Sequence, residues 1–234
     1  MAYKVYVSPS TQEHNKGASN YGTEEENMQA IGAKVEGLLC YNGFQVRRNR
    51  PDMELKQVVE DSNAFDPDAH VAIHSNAGGG RGCEAYAWFE ADGKGGYKKD
   101  TPGRRLAQAI YDEVSRITPT SDRGVKNGNH LYEIKHTVAP AALVEIAFHD
   151  NPTDAAWIKA NYDAIAEAIA KGVCKYFGIT FKKPQEAKPT GNAEKAPDGK
   201  LHKVQVGAFK DRANAEAMLD RLKKAGFDGF IKLE

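Results

Sequence analysis

An α/β fold, with a mixed, mostly parallel sheet carrying helices on both faces, is predicted by three observations. Short runs rich in Val, Ile and Tyr alternate with longer stretches whose apolar residues recur at helical spacing. The run Val71-Ala72-Ile73-His74 breaks into Ser75-Asn76-Ala77 and then Gly78-Gly79-Gly80, as a buried strand does when it ends in a loop. The length of 234 residues suits one medium domain and a small one.

The elements follow in order. Residues 3–7 carry Tyr and Val in weak alternation and read as a first strand, ended by Ser8-Pro9-Ser10. A polar loop holds His14 and Gly17. Thr23 is a plausible N-cap, and Glu24, Glu25 and Glu26 suit the positive end of a helix dipole. Met28, Ile31, Val35, Leu38 and Leu39 then give a helical stripe over residues 24–41. Asn42-Gly43 closes that helix, and Phe44-Gln45-Val46 reads as a second strand. Leu55 to Phe65 is a second helix, broken by Asp66-Pro67-Asp68. The strand bearing His74 follows. Residues 84–89 are a further strand, and residues 103–117 a helix with Leu106, Ala109, Ile110 and Val114 inward. Residues 118–130 read as a polar loop and Leu131 to Ile134 as a short strand. Ala141 to Phe148 is an apolar strand with one carboxylate, Glu145, inside it. One long helix is expected over residues 154–177.

After Phe181 the composition changes. Lys182-Lys183-Pro184, Lys188-Pro189 and Ala196-Pro197-Asp198-Gly199 lack periodicity and read as a linker. The expected domains are therefore residues 1–179, a linker over 180–200 and a small module over 201–234. That module reads βαβ: a strand at 202–209, a helix at 213–225 with Ala217, Leu219 and Leu222 inward, and a strand at 227–231. So short a unit buries little core alone, so pairing with a second copy, as a homodimer, is an expectation.

Bulk properties narrow the function. With 32 basic and 32 acidic residues there is no cationic excess to neutralise phosphates, which argues against a nucleic-acid partner. No apolar run approaches the roughly 20 residues that span a bilayer, so no membrane partner is expected. Residues 1–7 lack the apolar core of a signal peptide, which implies cytoplasmic synthesis. Three scattered cysteines make no disulfide framework.

Four residues are candidates for chemistry. His14 lies in the loop after the first strand, Glu24 opens the first helix, and His74 ends the central strand where α/β proteins place ligands. Two histidines and a carboxylate suit zinc with one position left for water. Glu145 would then be the general base, since a carboxylate inside an apolar strand is costly unless paired or functional. His70, His130, His136 and His149 are rival ligands, none of which ends an apolar run against a glycine loop. Cys83 and Glu84 also follow that loop, with no base in view to activate the thiol.

These residues resemble the type-3 family of zinc N-acetylmuramoyl-L-alanine amidases over about residues 3–178. Ile73-His74-Ser75-Asn76-Ala77 is similar to the family's second histidine motif, and Leu143 to Asn151 to the motif of its catalytic glutamate, at Glu145. Gly17-Ala18-Ser19 and Gly22-Thr23-Glu24 resemble the approach to the ligand glutamate, and the helical stripe that follows places that role on Glu24. The family has Asp-Pro-Gly-His-Gly-Gly after its first strand, whereas this chain reads Ser8-Pro9-Ser10-Thr11-Gln12-Glu13-His14. The resemblance carries the first ligand to His14, the one histidine of that loop. Val204 to Phe209, Asn214-Ala215 and Gly226-Phe227 resemble part of a sporulation-related repeat that binds glycan strands. The resemblance implies a cell-wall lytic enzyme, an autolysin or a phage endolysin released by a holin or by lysis. Its implied partner is peptidoglycan, and its implied reaction is zinc-assisted cleavage of the bond between N-acetylmuramic acid and L-alanine. A zinc peptidase acting within the stem peptide, and a non-catalytic wall-binding protein, are the competing readings.

Overall fold

The computed structural model describes residues 2–120, 122–184, 211–224 and 229–232. The chain divides into two compact units, Met1–Gln185 and Glu186–Glu234.

In the first unit, β1 (Lys4–Pro9) buries Val5, Tyr6 and Val7 and is flanked by β2 (Gln45–Arg48) and β3 (Ala69–Asn76), both parallel to it. β6 (Ala141–Phe148) runs parallel to β3. β4 (Cys83–Ala87) lies antiparallel to β6, and β5 (Asp122–Asn127) parallel to β4. The sheet order is β2-β1-β3-β6-β4-β5. The mixed, mostly parallel α/β sheet expected from the sequence is the one observed. Its central strands β1, β3 and β6 are almost wholly buried.

One face is covered by α1 (Glu24–Tyr41), α3 (Pro102–Ser115), α5 (Pro152–Ala160) and α6 (Tyr162–Tyr176). Met28, Ile31, Val35 and Leu39 of α1 and Leu106, Ile110 and Val114 of α3 meet Val5, Val7, Val71 and Ile73 there. Gly172 lets α6 approach α3. A Cβ on it would stand 2.4 Å from Ile110 Cα and 2.8 Å from the Ala109 carbonyl oxygen, backbone atoms that cannot turn aside. The other face is covered only in part, by α2 (Leu55–Phe65) and α4 (Tyr132–His136). On this side His74 of β3 and Glu145 of β6 are only partly buried.

Three expectations are corrected. Residues 118–130 contain a strand, β5. It is an edge strand with no apolar alternation, and its parallel partner β4 supplies the pairing that composition does not signal. Residues 131–134 are not a strand but enter α4. Glu133 and Ile134 are both buried, and adjacent side chains of a strand point to opposite faces, whereas one helical turn turns both inward. The helix expected over 154–177 is two helices, because Asn161 leaves helical geometry with φ −131° and its side-chain amide donates to the Trp157 carbonyl at 2.7 Å.

In the second unit, α7 (Arg212–Lys224) is the helix expected there, with Leu219 and Leu222 half-buried. The strand expected at 202–209 lies outside the described residues, as does the side chain of Ala217. Residues 229–232 are described and belong to no strand. No helix among the described residues is long and apolar enough to cross a membrane.

Candidate active site

The start of α1 places the first carboxylate. Thr23 and Glu26 form a capping box: Glu26 N–H donates to Thr23 Oγ1 at 3.2 Å, and Thr23 N–H donates to Glu26 Oε2 at 3.0 Å. Glu26 is exposed and used up in capping, and Glu25 is only partly buried. Glu24, 1% exposed, points to the sheet instead. Its Oε2 accepts from Asn15 Nδ2 at 2.7 Å, and its Oε1 lies 2.9 Å from His74 Nδ1 and accepts from Ser75 N–H at 3.3 Å. Burial pushes the Glu24 carboxyl up, but the hydrogen bonds from His74, Asn15 and Ser75 outweigh it and hold the group below its ordinary value. Burial likewise disfavours a charged His74, yet the carboxylates of Glu133 and Glu24 raise it well above the usual histidine range.

β3 and β6 place the second carboxylate. His74 and Glu145 are direct partners across these strands, so their side chains stand on one face of the sheet. Glu145 Oε2 is buried without a hydrogen-bond partner. Burial, with the charges of Glu24 and Glu84 adding to it and His74 opposing, pushes the Glu145 carboxyl up to about 7. A buried oxygen left unpaired costs about 1–3 kcal/mol, which is the mark of a group kept free for a ligand or a proton.

The four sequence candidates do not all converge. Glu24, His74 and Glu145 come together at the carboxyl end of the sheet. His14 does not join them: its side chain is 94% exposed and its Nε2 lies 3.4 Å from Glu13 Oε1 on the surface. The loop turns at Gln12, whose Nε2 instead lies 3.4 Å from His74 Nδ1, while its Oε1 accepts from Asn15 Nδ2 at 2.7 Å. The rival histidines are also placed elsewhere. His149 is buried against Tyr21, with Nδ1 2.8 Å from the Ser75 carbonyl oxygen. His130 and His136 are exposed beside Tyr86 and Tyr132. His70 is buried, with Nδ1 2.8 Å from Ser62 Oγ and Nε2 2.8 Å from Glu133 Oε1. The Cys83 thiol is buried and pushed up by that burial, which makes it a poor nucleophile.

Sequence reading missed Glu133, whose Oε2 stands 3.7 Å from His74 Nε2. Its neighbours resemble a strand, and only the helical turn of α4 carries it to His74. A carboxylate between two apolar residues, Tyr132 and Ile134, was the available signal.

The loops behind the site are fixed by the same β6 turn. Asp150 Oδ2 accepts from Gly78 N–H at 2.7 Å and Gly79 N–H at 2.8 Å. Both glycines have positive φ, 112° and 72°, which two adjacent side-chain-bearing residues would resist.

Glu24 Oε1 and His74 Nδ1, hydrogen-bonded at 2.9 Å, are atoms of the kinds that zinc takes as ligands. The unpaired Glu145 Oε2 beside them fits the same reading. Among the described residues, no third His, Cys, Asp or Glu completes the group.

A histidine–carboxylate pair next to an unpaired buried carboxylate, at the carboxyl ends of β3 and β6, is an arrangement that can activate water. The N-acetylmuramoyl-L-alanine amidase family matches residues 5–175, and the chain belongs to that family. It is thus a peptidoglycan hydrolase that cleaves the amide between N-acetylmuramic acid and L-alanine, in a family that is in general zinc-dependent. The SPOR domain family matches residues 182–233. N-acetylmuramoyl-L-alanine amidase CwlM of Bacillus licheniformis is 29% identical over 97% of this chain and 84% of its own length. The endolysin of Bacillus phage SPP1 is 29% identical over 82% of this chain and 72% of its own length. Among solved structures, the catalytic domain of CwlV from Bacillus (Paenibacillus) polymyxa var. colistinus superposes with a TM-score of 0.66 at 24% identity. That match covers 77% of this chain and all of that one, and shows the shared fold.

Proposed function

We propose that Glu24 and His74 hold the catalytic zinc and that Glu145 is the general base of amide hydrolysis. The observation that carries this is Glu145 Oε2, buried and unpartnered directly across the strand pair from His74. Zinc bound by Glu24 Oε1 and His74 Nδ1 would supply Lewis acidity to the scissile carbonyl and to the attacking water. Glu145 supplies the proton relay. Its carboxylate accepts a proton from water as the water oxygen attacks the lactyl carbonyl carbon. It then returns that proton to the nitrogen of L-alanine as the carbon–nitrogen bond breaks. The products are the lactyl carboxylic acid and a free L-alanine amine, present as carboxylate and ammonium at neutral pH. In the metal-free protein burial pushes the Glu145 carboxyl up to about 7.

His14, carried into the ligand set by resemblance, has no part in this mechanism, since it faces solvent on the outer side of its loop. The second unit anchors the enzyme on glycan strands, a role supported by the SPOR match over residues 182–233.

The test is mass spectrometry of the soluble products released from purified peptidoglycan, with and without a zinc chelator. The expected products are free stem peptides beginning with L-alanine, lost on chelation and restored by zinc. Muropeptides with shortened stems would identify a peptidase instead, and activity indifferent to the chelator would overturn the zinc site.

A further inference from the structure

Glu133 belongs to a chain of buried polar groups that the mechanism above does not use. Ser62 Oγ lies 2.8 Å from His70 Nδ1, and His70 Nε2 lies 2.8 Å from Glu133 Oε1. Ser8 Oγ–H also donates to Glu133 Oε1. His70 stacks on Tyr6 with ring centroids 5.3 Å apart and planes 9° apart, and Tyr6 is itself tied to Asp61 Oδ2 at 2.8 Å. One oxygen of Glu133 is therefore held by two donors from β1 and β3, and the side chain cannot swing. The other oxygen, Oε2, is turned to His74 Nε2 at 3.7 Å. On the opposite edge of the same ring, His74 Nδ1 faces Glu24 Oε1 at 2.9 Å. The imidazole thus stands between two buried carboxylates, one at each nitrogen.

We propose that Glu133 is a positioning residue for His74: its Oε2 is the acceptor toward which Nε2–H points, so that the ring presents Nδ1 to the metal. The proposal rests on the reading that Glu24 and His74 hold zinc. A histidine has one proton to place when neutral, and a fixed acceptor at one nitrogen decides that the lone pair lies at the other. A carboxylate does this more strongly than an amide or water, and such partners also make the ring a better ligand. The 3.7 Å separation exceeds a hydrogen bond. A small turn of the His74 ring, with Glu133 held by Ser8 and His70, closes it.

The test compares zinc affinity of the wild-type chain and Glu133→Gln by competition with a chromophoric chelator, alongside urea unfolding of both proteins without metal. Loss of a partner of this kind weakens metal binding by about 10–100-fold. The expected result is a loss in that range for Glu133→Gln. Equal affinity of Glu133→Gln and wild type overturns the proposal and leaves the zinc reading standing. No zinc binding by the wild-type chain overturns both. Should Glu133→Gln fail to fold, nitrogen-15 spectra of the wild-type zinc form decide: a protonated His74 Nε2 with metal on Nδ1 is expected, and metal on Nε2 overturns the proposal.

Discussion

Glu145 and Glu84 face each other across β6 and β4 as direct partners, and the two carboxylates have opposite environments. Glu84 accepts from Asn76 Nδ2 and Tyr86 OH at 2.7 Å, from Arg123 Nε at 2.5 Å and from Lys126 Nζ. Despite burial, these donors hold its carboxyl well below the ordinary range. Glu145 Oε2 has no partner, and burial pushes the group up to about 7. Two acids side by side, one locked as a carboxylate and one poised to exchange a proton, support the proposed role of Glu145 as the base.

Glu145→Gln keeps the side-chain shape and removes the proton acceptor. Turnover of peptidoglycan falls by about 10²–10⁴-fold, the contribution of a positioned general base. Bound zinc, measured by elemental analysis, stays at the wild-type level. Loss of zinc along with activity would make Glu145 a ligand and not the base.

The same group sets a pH dependence of stability in the metal-free protein. The Glu145 carboxyl rises from 4.5 to about 7 on folding, so the native state binds its proton more tightly than the unfolded chain does. Its contribution is fully present below pH 4.5 and is lost as pH rises through about 7. At pH 8 Glu145→Gln is expected to exceed wild type in unfolding free energy by on the order of 3 kcal/mol more than it does at pH 4. Urea titrations at both pH values measure this, and parallel curves for the two proteins would contradict it.

His14→Ala retains zinc and changes turnover by less than about threefold, because the side chain is solvated and faces Glu13 on the surface. Dialysis against trace zinc followed by metal analysis checks this. A protein emptied of zinc would show that the loop from Ser10 to Asn15 rearranges to bring His14 inward.

Thr23→Ala removes the cap that fixes the first turn of α1 and with it the aim of Glu24. Unfolding free energy falls by about 1 kcal/mol. Zinc affinity falls with it, since the same first turn carries Glu24, whose N–H and Oε2 are tied to Asn15 in the preceding loop. Unchanged zinc affinity with reduced stability would separate the cap from the site.

Much of this was legible in the sequence. The stripe Met28, Ile31, Val35, Leu39 fixed α1, Thr23 fixed its start, and the apolar runs ending at His74 and carrying Glu145 fixed the two strands that matter. Those features are local: helical spacing, a cap and a carboxylate in an apolar strand are each read within about ten residues. What the sequence left open depends on contacts far apart along the chain. It could not show that His14 turns outward, because nothing local distinguishes the two sides of a polar loop. Nor could it place β5, whose strand character comes from its neighbour β4, or Glu133, which is carried to His74 by a helical turn more than fifty residues further along. Which carboxylate is satisfied and which is left free was likewise a tertiary outcome. Glu84 and Glu145 are the same residue type in similar strands, and only the donors brought to Glu84 by β3, β4 and β5 set them apart.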